Sequence, residues 1–332
     1  MSAVTFLLDP LPPFRLDLTV WTLRRRPDNL MDRWDGGTYR RVLPLRNDGE
    51  GDEGEGDETV EMAVAQLGPP AAPRLRVALS GAQVAARADH AERAARAALT
   101  RTLGLEVDLS AFYRFAAADA HLGPLVARFR GVKPPRLPSV FEALANAIAC
   151  QQITLTQGIR LLNRLAQRYG PVLDVGDDTG SDTSAHAFPR PRDLARLDPQ
   201  DFKALGFSAS KGRALVELAG AIVGGRLDLE ALAGLDNAAA VAQLLPLRGV
   251  GRWSAEYVLL RGLGRTDVFP GDDVGARNNL RRWLALAEPL DYGGVRRVLA
   301  GWQPYGGLIY FHLLLDRLAQ AGYLPDDAPA AG

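Results

Sequence analysis

Two adjacent carboxylates, Asp272 and Asp273, follow Pro270-Gly271 and stand at the head of a helical run. Residues of this type can do two jobs there. Aspartate is a favoured helix N-cap, and acids suit the first turn. An ionised carboxylate about 4 Å from a developing cation also stabilises it by roughly 4 kcal/mol at an effective dielectric near 20. That is about a thousandfold in rate, and the same group can orient or deprotonate a water. Two carboxylates in succession allow both jobs. Upstream, Leu247-Arg248-Gly249-Val250-Gly251 makes a short turn between two helical patterns. Its glycines permit backbone conformations closed to other residues. They also let N–H groups at the next helix's start approach a phosphate oxygen, a contact that carries no base information. Arg248 and Arg252 add charge beside it. Trp253 and Tyr257 lie four residues apart and share a helix face, either as a buried pair or as walls against which a flat ring stacks.

The elements that must position these groups fall into two parts. Residues 4 to 80 read as strands and turns. Phe14 to Leu23 alternates apolar and polar, as a strand or a strand entering a helix. Thr38 to Leu43, Thr59 to Leu67 and Leu75 to Leu79 complete an antiparallel sheet. Residues 47–58, NDGEGDEGEGDE, are acidic, glycine-rich and without an apolar residue, and read as a disordered hairpin loop. Asp89 to Leu103 is an amphipathic helix packed across the sheet. From Leu109 the chain is helical with short breaks, including Val140 to Cys150, Leu155 to Tyr169, Lys211 to Gly224, Leu227 to Ala233 and Leu308 to Gln320. The expected fold is α+β. An N-terminal domain (residues 1–130) carries the sheet, an all-α core (131–325) forms two bundles flanking a cleft, with the hairpin at 245–262, and 326–332 is a tail.

Composition narrows the function classes. The 332 residues carry 39 basic and 39 acidic side chains, so any nucleic-acid surface must be local. Lys133, Lys203 and Lys211 are the only lysines, so a mechanism needing one has few candidates. One cysteine, Cys150, excludes an intramolecular disulfide and a cysteine-only metal cluster. The four histidines show no metal-ligand spacing. The N-terminus lacks the basic and long apolar regions of a signal peptide, and no apolar run would span a bilayer. The expected location is the cytoplasm, in association with the nucleoid.

The stretch LRGVGRWSAEYV followed by Phe269-Pro270-Gly271-Asp272-Asp273 resembles the helix-hairpin-helix DNA glycosylase superfamily. Within it, the chain resembles the AlkA-type 3-methyladenine DNA glycosylases (glycosylase II). The similarity extends through Phe188-Pro-Arg-Pro-Arg-Asp-Leu-Ala, Leu205-Gly-Phe-Ser-Ala-Ser-Lys211 and Trp302-Gln-Pro-Tyr305. The resemblance implies a TATA-binding-protein-like N-terminal domain and two helical domains flanking the active-site cleft. It assigns Asp273 as the catalytic aspartate and leaves Asp272 as cap or neighbour. It places Trp253 and Tyr257 in a pocket for a flipped base, suited to cationic alkylated purines through cation–π contact. A family pocket tryptophan aligns with Leu314, so one aromatic wall is missing. The N-terminal sheet matches faintly, with Trp21 and Thr22 as undecided pocket candidates. Gln152 aligns with the wedge that fills the gap left by the extruded base. DNA contacts fall to Arg248, Gly249, Val250, Gly251 and Arg252, with Arg277 on the following helix. Backbone carbonyls of Leu245, Leu247 and Val250 are implied holders of a structural monovalent cation, and no cofactor is required. Bifunctional relatives place an imine-forming lysine where this chain has Trp253, which implies a monofunctional enzyme.

The resulting expectation is a monomeric glycosylase acting on damaged double-stranded DNA, with neither a membrane nor an obligate protein partner. It would hydrolyse the N-glycosidic bond of alkylated purines and leave an abasic site. Two alternatives stay open: a glycosylase for oxidised or deaminated bases, and a non-catalytic DNA-binding module.

Overall fold

The computed structural model describes residues 4–45, 59–82, 84–173 and 185–324. The expected acidic loop (47–58) and tail (326–332) lie outside the described residues. Five strands form one antiparallel sheet: β1 (Val4–Leu8), β2 (Arg33–Trp34), β3 (Thr38–Pro44), β4 (Thr59–Gln66) and β5 (Leu75–Ser80), in spatial order β1-β5-β4-β3-β2. Alternation fixes the register. Val60, Met62 and Val64 of β4 are buried while Glu61 and Ala63 are less so, as one face packs on the core.

Phe14 to Leu23, expected as a strand or a strand entering a helix, is helical over most of its length. The chain forms helix α1 (Leu16–Arg24), in which every residue but Asp17 is buried. Thr19 and Thr22 are buried by donating their hydroxyls to the carbonyls of Arg15 and Leu18 one turn back, so the polar positions of the alternation do not mark an outer face. Helix α2 (Ala88–Leu103) then buries Ala91, Ala95 and Leu99, a single stripe, in the core it shares with the sheet.

The remainder is helical: α3 (Ser110–Ala117), α4 (Leu122–Arg128), α5 (Val140–Cys150), α6 (Leu155–Tyr169), α7 (Pro191–Leu194), α8 (Asp201–Ala204), α9 (Ala209–Val223), α10 (Asn237–Leu244), α11 (Arg252–Arg261), α12 (Val274–Trp283), α13 (Tyr292–Leu299) and α14 (Gly306–Gln320). The helix expected over Leu227 to Ala233 is a 3-10 turn at Glu230–Gly234. Among the described residues two large apolar cores organise the structure, beside a small cluster of Val42, Leu173 and Ala187. One unites the sheet, α2, α5, α6 and α9 with much of α10 and α11. The other gathers α3, α4 and α12–α14 around Leu18 and Trp21 of α1.

A buried charge cluster stitches the sheet to the helices. Arg41 of β3 bonds Asp32 and Glu142 of α5, each at 2.6 Å, and the Tyr39 hydroxyl donates to Asp32 at 2.9 Å. Burial pushes the Glu142 carboxyl up while Arg41 pulls it down. Such a cluster holds the parts in one arrangement because no member can leave without stranding a charge. Among the described residues no helix is long and apolar enough to cross a membrane.

Candidate active site and DNA-facing surface

A cleft of about 1460 Å³ opens where the α5–α6 turn, α11, α12, α14 and the end of α1 converge. Asp273, Trp253, Tyr257, Leu314 and Gln152, named separately from sequence, all line it. The structure also brings Arg25, Arg26, Phe269 and Tyr310 to its walls.

The two carboxylates divide their work differently from expectation. Asp273 is itself the N-cap of α12, with Oδ1 accepting the Ala276 N–H at 2.9 Å. Its second oxygen has no hydrogen-bond partner among the described residues. Capping and facing the cleft are therefore one residue's work, because capping uses one oxygen and leaves the other. Asp272, expected as cap or neighbour, is the neighbour and pairs with Arg252 at 2.6 Å.

The loop carrying both acids is pinned from below. Glu256, buried in the middle of α11, accepts the Gly271 N–H at 3.0 Å and the Tyr292 hydroxyl at 2.6 Å. Burial pushes the Glu256 carboxyl up, and these two donors work against that rise. Gly271 must be glycine, since an added Cβ would fall 2.7 Å from the Tyr292 ring. The ring in turn carries the Arg252 guanidinium 3.8 Å from its centroid. A chain of contacts thus runs from the hairpin's second helix through Tyr292 back to the acid pair. Sequence gave no hint of Glu256 or Tyr292, because their partners are distant in the chain.

The aromatic walls follow from helical spacing. Trp253 and Tyr257 lie 5.7 Å apart with rings tilted by 41°. Tyr257 is buried and donates to Asn146 Oδ1 at 2.8 Å. Leu314 stands without a ring, as expected, but Tyr310 lies one turn earlier on the same face of α14 and also lines the cleft. Burial, and after it the neighbouring Asp273 carboxylate, push the Tyr310 hydroxyl up, so it stays protonated. The four-residue step from Leu314 was the signal that could have found it. From the N-terminal domain neither candidate lines this cleft. Trp21 stacks on Tyr323 at 5.6 Å, and Thr22 is buried with its hydroxyl on the Leu18 carbonyl. Arg25 and Arg26, at the end of α1, take that place; the triplet Arg24-Arg25-Arg26 closing an apolar helix was their trace in the sequence.

The hairpin between α10 and α11 has the geometry its glycines suggested. Gly249 adopts φ +76, a left-handed conformation, and a Cβ there would also press on Ala214 at 3.2 Å. Gly251 is exposed and begins α11 with no side-chain cap, which leaves first-turn N–H groups without a side-chain acceptor. Val250 is buried as the hairpin's anchor. Both flanking arginines are engaged, Arg248 with Glu217 at 2.7 Å and Arg252 with Asp272. Arg277 is partly exposed on α12 and does not line the cleft.

Gln152 sits at the tip of the α5–α6 turn with φ 56, exposed and next to exposed Ile153. Its neighbour Gln151 reaches back and donates to the Gly249 carbonyl at 2.7 Å and the Ser254 hydroxyl at 2.8 Å. Lys211 clamps the same turn, donating to the carbonyls of Ala149 and Gln151 at 2.8 and 2.7 Å.

An uncapped helix start behind a glycine hairpin, beside a carboxylate in an aromatic cleft, defines a class. Residues 145–304 match the HhH-GPD superfamily of base excision DNA repair proteins, and the chain belongs to it. Over 207 residues it is 31% identical to DNA-3-methyladenine glycosylase 2 of Escherichia coli, covering 62% of this chain and 67% of that one. Over 209 residues it is 30% identical to the DNA-3-methyladenine glycosylase of Bacillus subtilis, covering 63% and 67%. Among solved structures, a 3-methyladenine DNA glycosylase from Archaeoglobus fulgidus aligns over 95% of this chain and 99% of its own, with a TM-score of 0.74 and 25% identity.

Proposed function

We propose that this protein is a monofunctional DNA glycosylase of base excision repair, hydrolysing the bond between deoxyribose and an alkylated base and leaving an abasic site. The observation that carries this is the placement of Asp273, whose uncapped oxygen belongs to a cleft walled by Trp253, Tyr257 and Tyr310. The relatives named 3-methyladenine glycosylases support the substrate class.

In the reaction, the hairpin from Arg248 to Arg252 holds phosphates and Gln152 fills the gap left by the extruded base. The base stacks in the aromatic cleft. As its bond to the sugar breaks, positive charge grows on the sugar and Asp273 stabilises it. Water adds to the sugar carbon, giving its proton to Asp273 and thence to the departing base. Hydrolysis without an imine fits the lysines: Lys133 donates to the Val107 carbonyl at 2.6 Å, Lys211 to two carbonyls, and Lys203 is exposed outside the cleft. DNA is the only partner this reaction needs, and one chain supplies every group in it. The Leu245 and Val250 carbonyls have no hydrogen bond among the described residues, whereas the Leu247 carbonyl accepts the Val250 N–H at 3.0 Å and keeps a lone pair. This donor set fits a monovalent cation, which would brace the hairpin near a phosphate.

The test is release of free base from methylated duplex DNA. Wild type should release methylated purines, and Asp273→Asn should do so about a thousandfold more slowly at single turnover while still shifting DNA in a gel. Equal rates would remove Asp273 from the mechanism. Borohydride should trap no protein–DNA adduct, and a trapped adduct would sink the monofunctional reading.

A further inference from the structure

The acid-bearing segment is a turn held from outside the cleft. The Asp273 N–H donates to the Pro270 carbonyl at 3.0 Å, which closes a turn with Gly271 and Asp272 at its centre. The Asp273 carbonyl then accepts the Arg277 N–H at 2.8 Å as α12 begins. Both central residues are tied to α11. Gly271 donates its N–H to Glu256 Oε2 at 3.0 Å, and the Asp272 carboxylate pairs with Arg252 at 2.6 Å. Arg252 and Glu256 are four residues apart and share a helix face. Trp253 and Tyr257, each one position on, share another. The second pair lines the cleft and the first does not. One helix therefore presents the aromatic wall on one side and holds the acid turn on the other.

The two ties differ in permanence. The Arg252 side chain is 52% exposed and belongs to the hairpin, so a phosphate bound there competes with Asp272 for it. Glu256 is 8% exposed, and its other oxygen accepts the Tyr292 hydroxyl at 2.6 Å. A donor on each oxygen of a buried carboxylate holds it in one orientation. The turn also lies against the Tyr292 ring, which a Cβ on Gly271 would approach to 2.7 Å. With Arg252 drawn to a phosphate, the Glu256–Gly271 bond is the remaining side-chain hydrogen bond between α11 and the turn among the described residues.

Building on the glycosylase reading, we propose that Glu256 and Tyr292 are positioning residues for the reaction, fixing the distance between the aromatic wall that holds the extruded base and the Asp273 carboxylate that meets the sugar. Neither lines the cleft, so neither touches base or sugar, and both act through Asp273. Placement matters at this scale: an error of about 1 Å can cost on the order of a hundredfold in rate. The turn needs from residue 256 an acceptor for the Gly271 N–H. Glutamine meets that need, since its oxygen accepts the N–H while its amide donates to the Tyr292 oxygen. Alanine leaves both groups without a partner.

The experiment measures single-turnover release of methylated purines alongside affinity for a duplex with an abasic site. Glu256→Ala should lower the rate constant at least about tenfold, with affinity and binding stoichiometry held within about twofold. Tyr292→Phe, which removes one hydroxyl from a partly exposed side chain, should lower it at least about threefold, and it carries the test if Glu256→Ala does not fold. Glu256→Gln should stay within about threefold of wild type. In an Asp273→Asn background the same changes should cost less than about twofold more, because residues acting as one unit are not additive. Smaller losses in the single variants, a Glu256→Gln as slow as Glu256→Ala, or full losses in the Asp273→Asn background would overturn the assignment. If wild type releases base and Asp273→Asn is slow, such results sink this inference alone. No release by wild type, or an Asp273→Asn as fast as wild type, sinks the mechanism on which it rests.

Discussion

Arg25 and Arg261, beneath the cleft, are 5% and 0% exposed and have no carboxylate partner among the described residues. Arg248 and Arg252, at its rim, are 50% and 52% exposed in their side chains, and each pairs with an acid. The rim pairs are worth about 1 kcal/mol or less. In the proposed reaction a DNA phosphate would take the carboxylate's place with little change in energy. The floor arginines were taken out of water when the chain folded, and carbonyls and one amide hold them in place. Their charge is fixed before any ligand arrives. One residue type therefore serves as an exchangeable contact at the edge and as a preset field in the interior.

The sharpest way to break this contrast is to remove a buried cation from its network. Arg41→Met leaves Asp32 and Glu142 buried without a counter-charge, and should lower stability by about 3–5 kcal/mol in urea denaturation. A loss under about 1 kcal/mol would place the interior network in the same class as the rim pairs.

A second test concerns protons. His312, fully buried on α14, donates through Nδ1 to the Leu308 carbonyl at 2.8 Å, while Nε2 has no partner. Burial pushes its pKa down from 6.5 to about 4. As pH falls below the ordinary value, the unfolded chain takes up this proton first. Stability tied to His312 should be constant above pH 6.5 and decline towards pH 4, by about 3 kcal/mol in all. Denaturation of wild type and His312→Phe across that range isolates the effect, and parallel curves would refute it. The smallest effect belongs to the rim. Glu217→Gln frees Arg248 and should tighten DNA binding about twofold at low salt, with stability changed by about 0.5 kcal/mol or less. Weaker binding would mean that Glu217 holds Arg248 in place for DNA.

Legibility in the sequence followed the range of the interactions. The hairpin, the aromatic pair on α11 and the acid loop were readable because each is a local pattern of glycines, helical spacing or caps. Strands β3–β5 were readable from alternation. Helix α1 was only half read, as a strand or a strand entering a helix, because buried Thr19 and Thr22 satisfy their hydroxyls within the helix and so mark no outer face. The Arg25 floor, the Glu256–Tyr292 brace and Tyr310's place in the cleft were not read, since each depends on elements far apart in the chain. The roles of Asp272 and Asp273 turned on which oxygen meets which N–H, a detail that residue type cannot carry.

Gln151 joins the tip bearing Gln152 to the hairpin through the Gly249 carbonyl and the Ser254 hydroxyl. The hairpin and the α5–α6 tip are thereby built as one caliper, whose jaw spacing is set by the Gln151 amide and backed by the Lys211 clamp on the same turn.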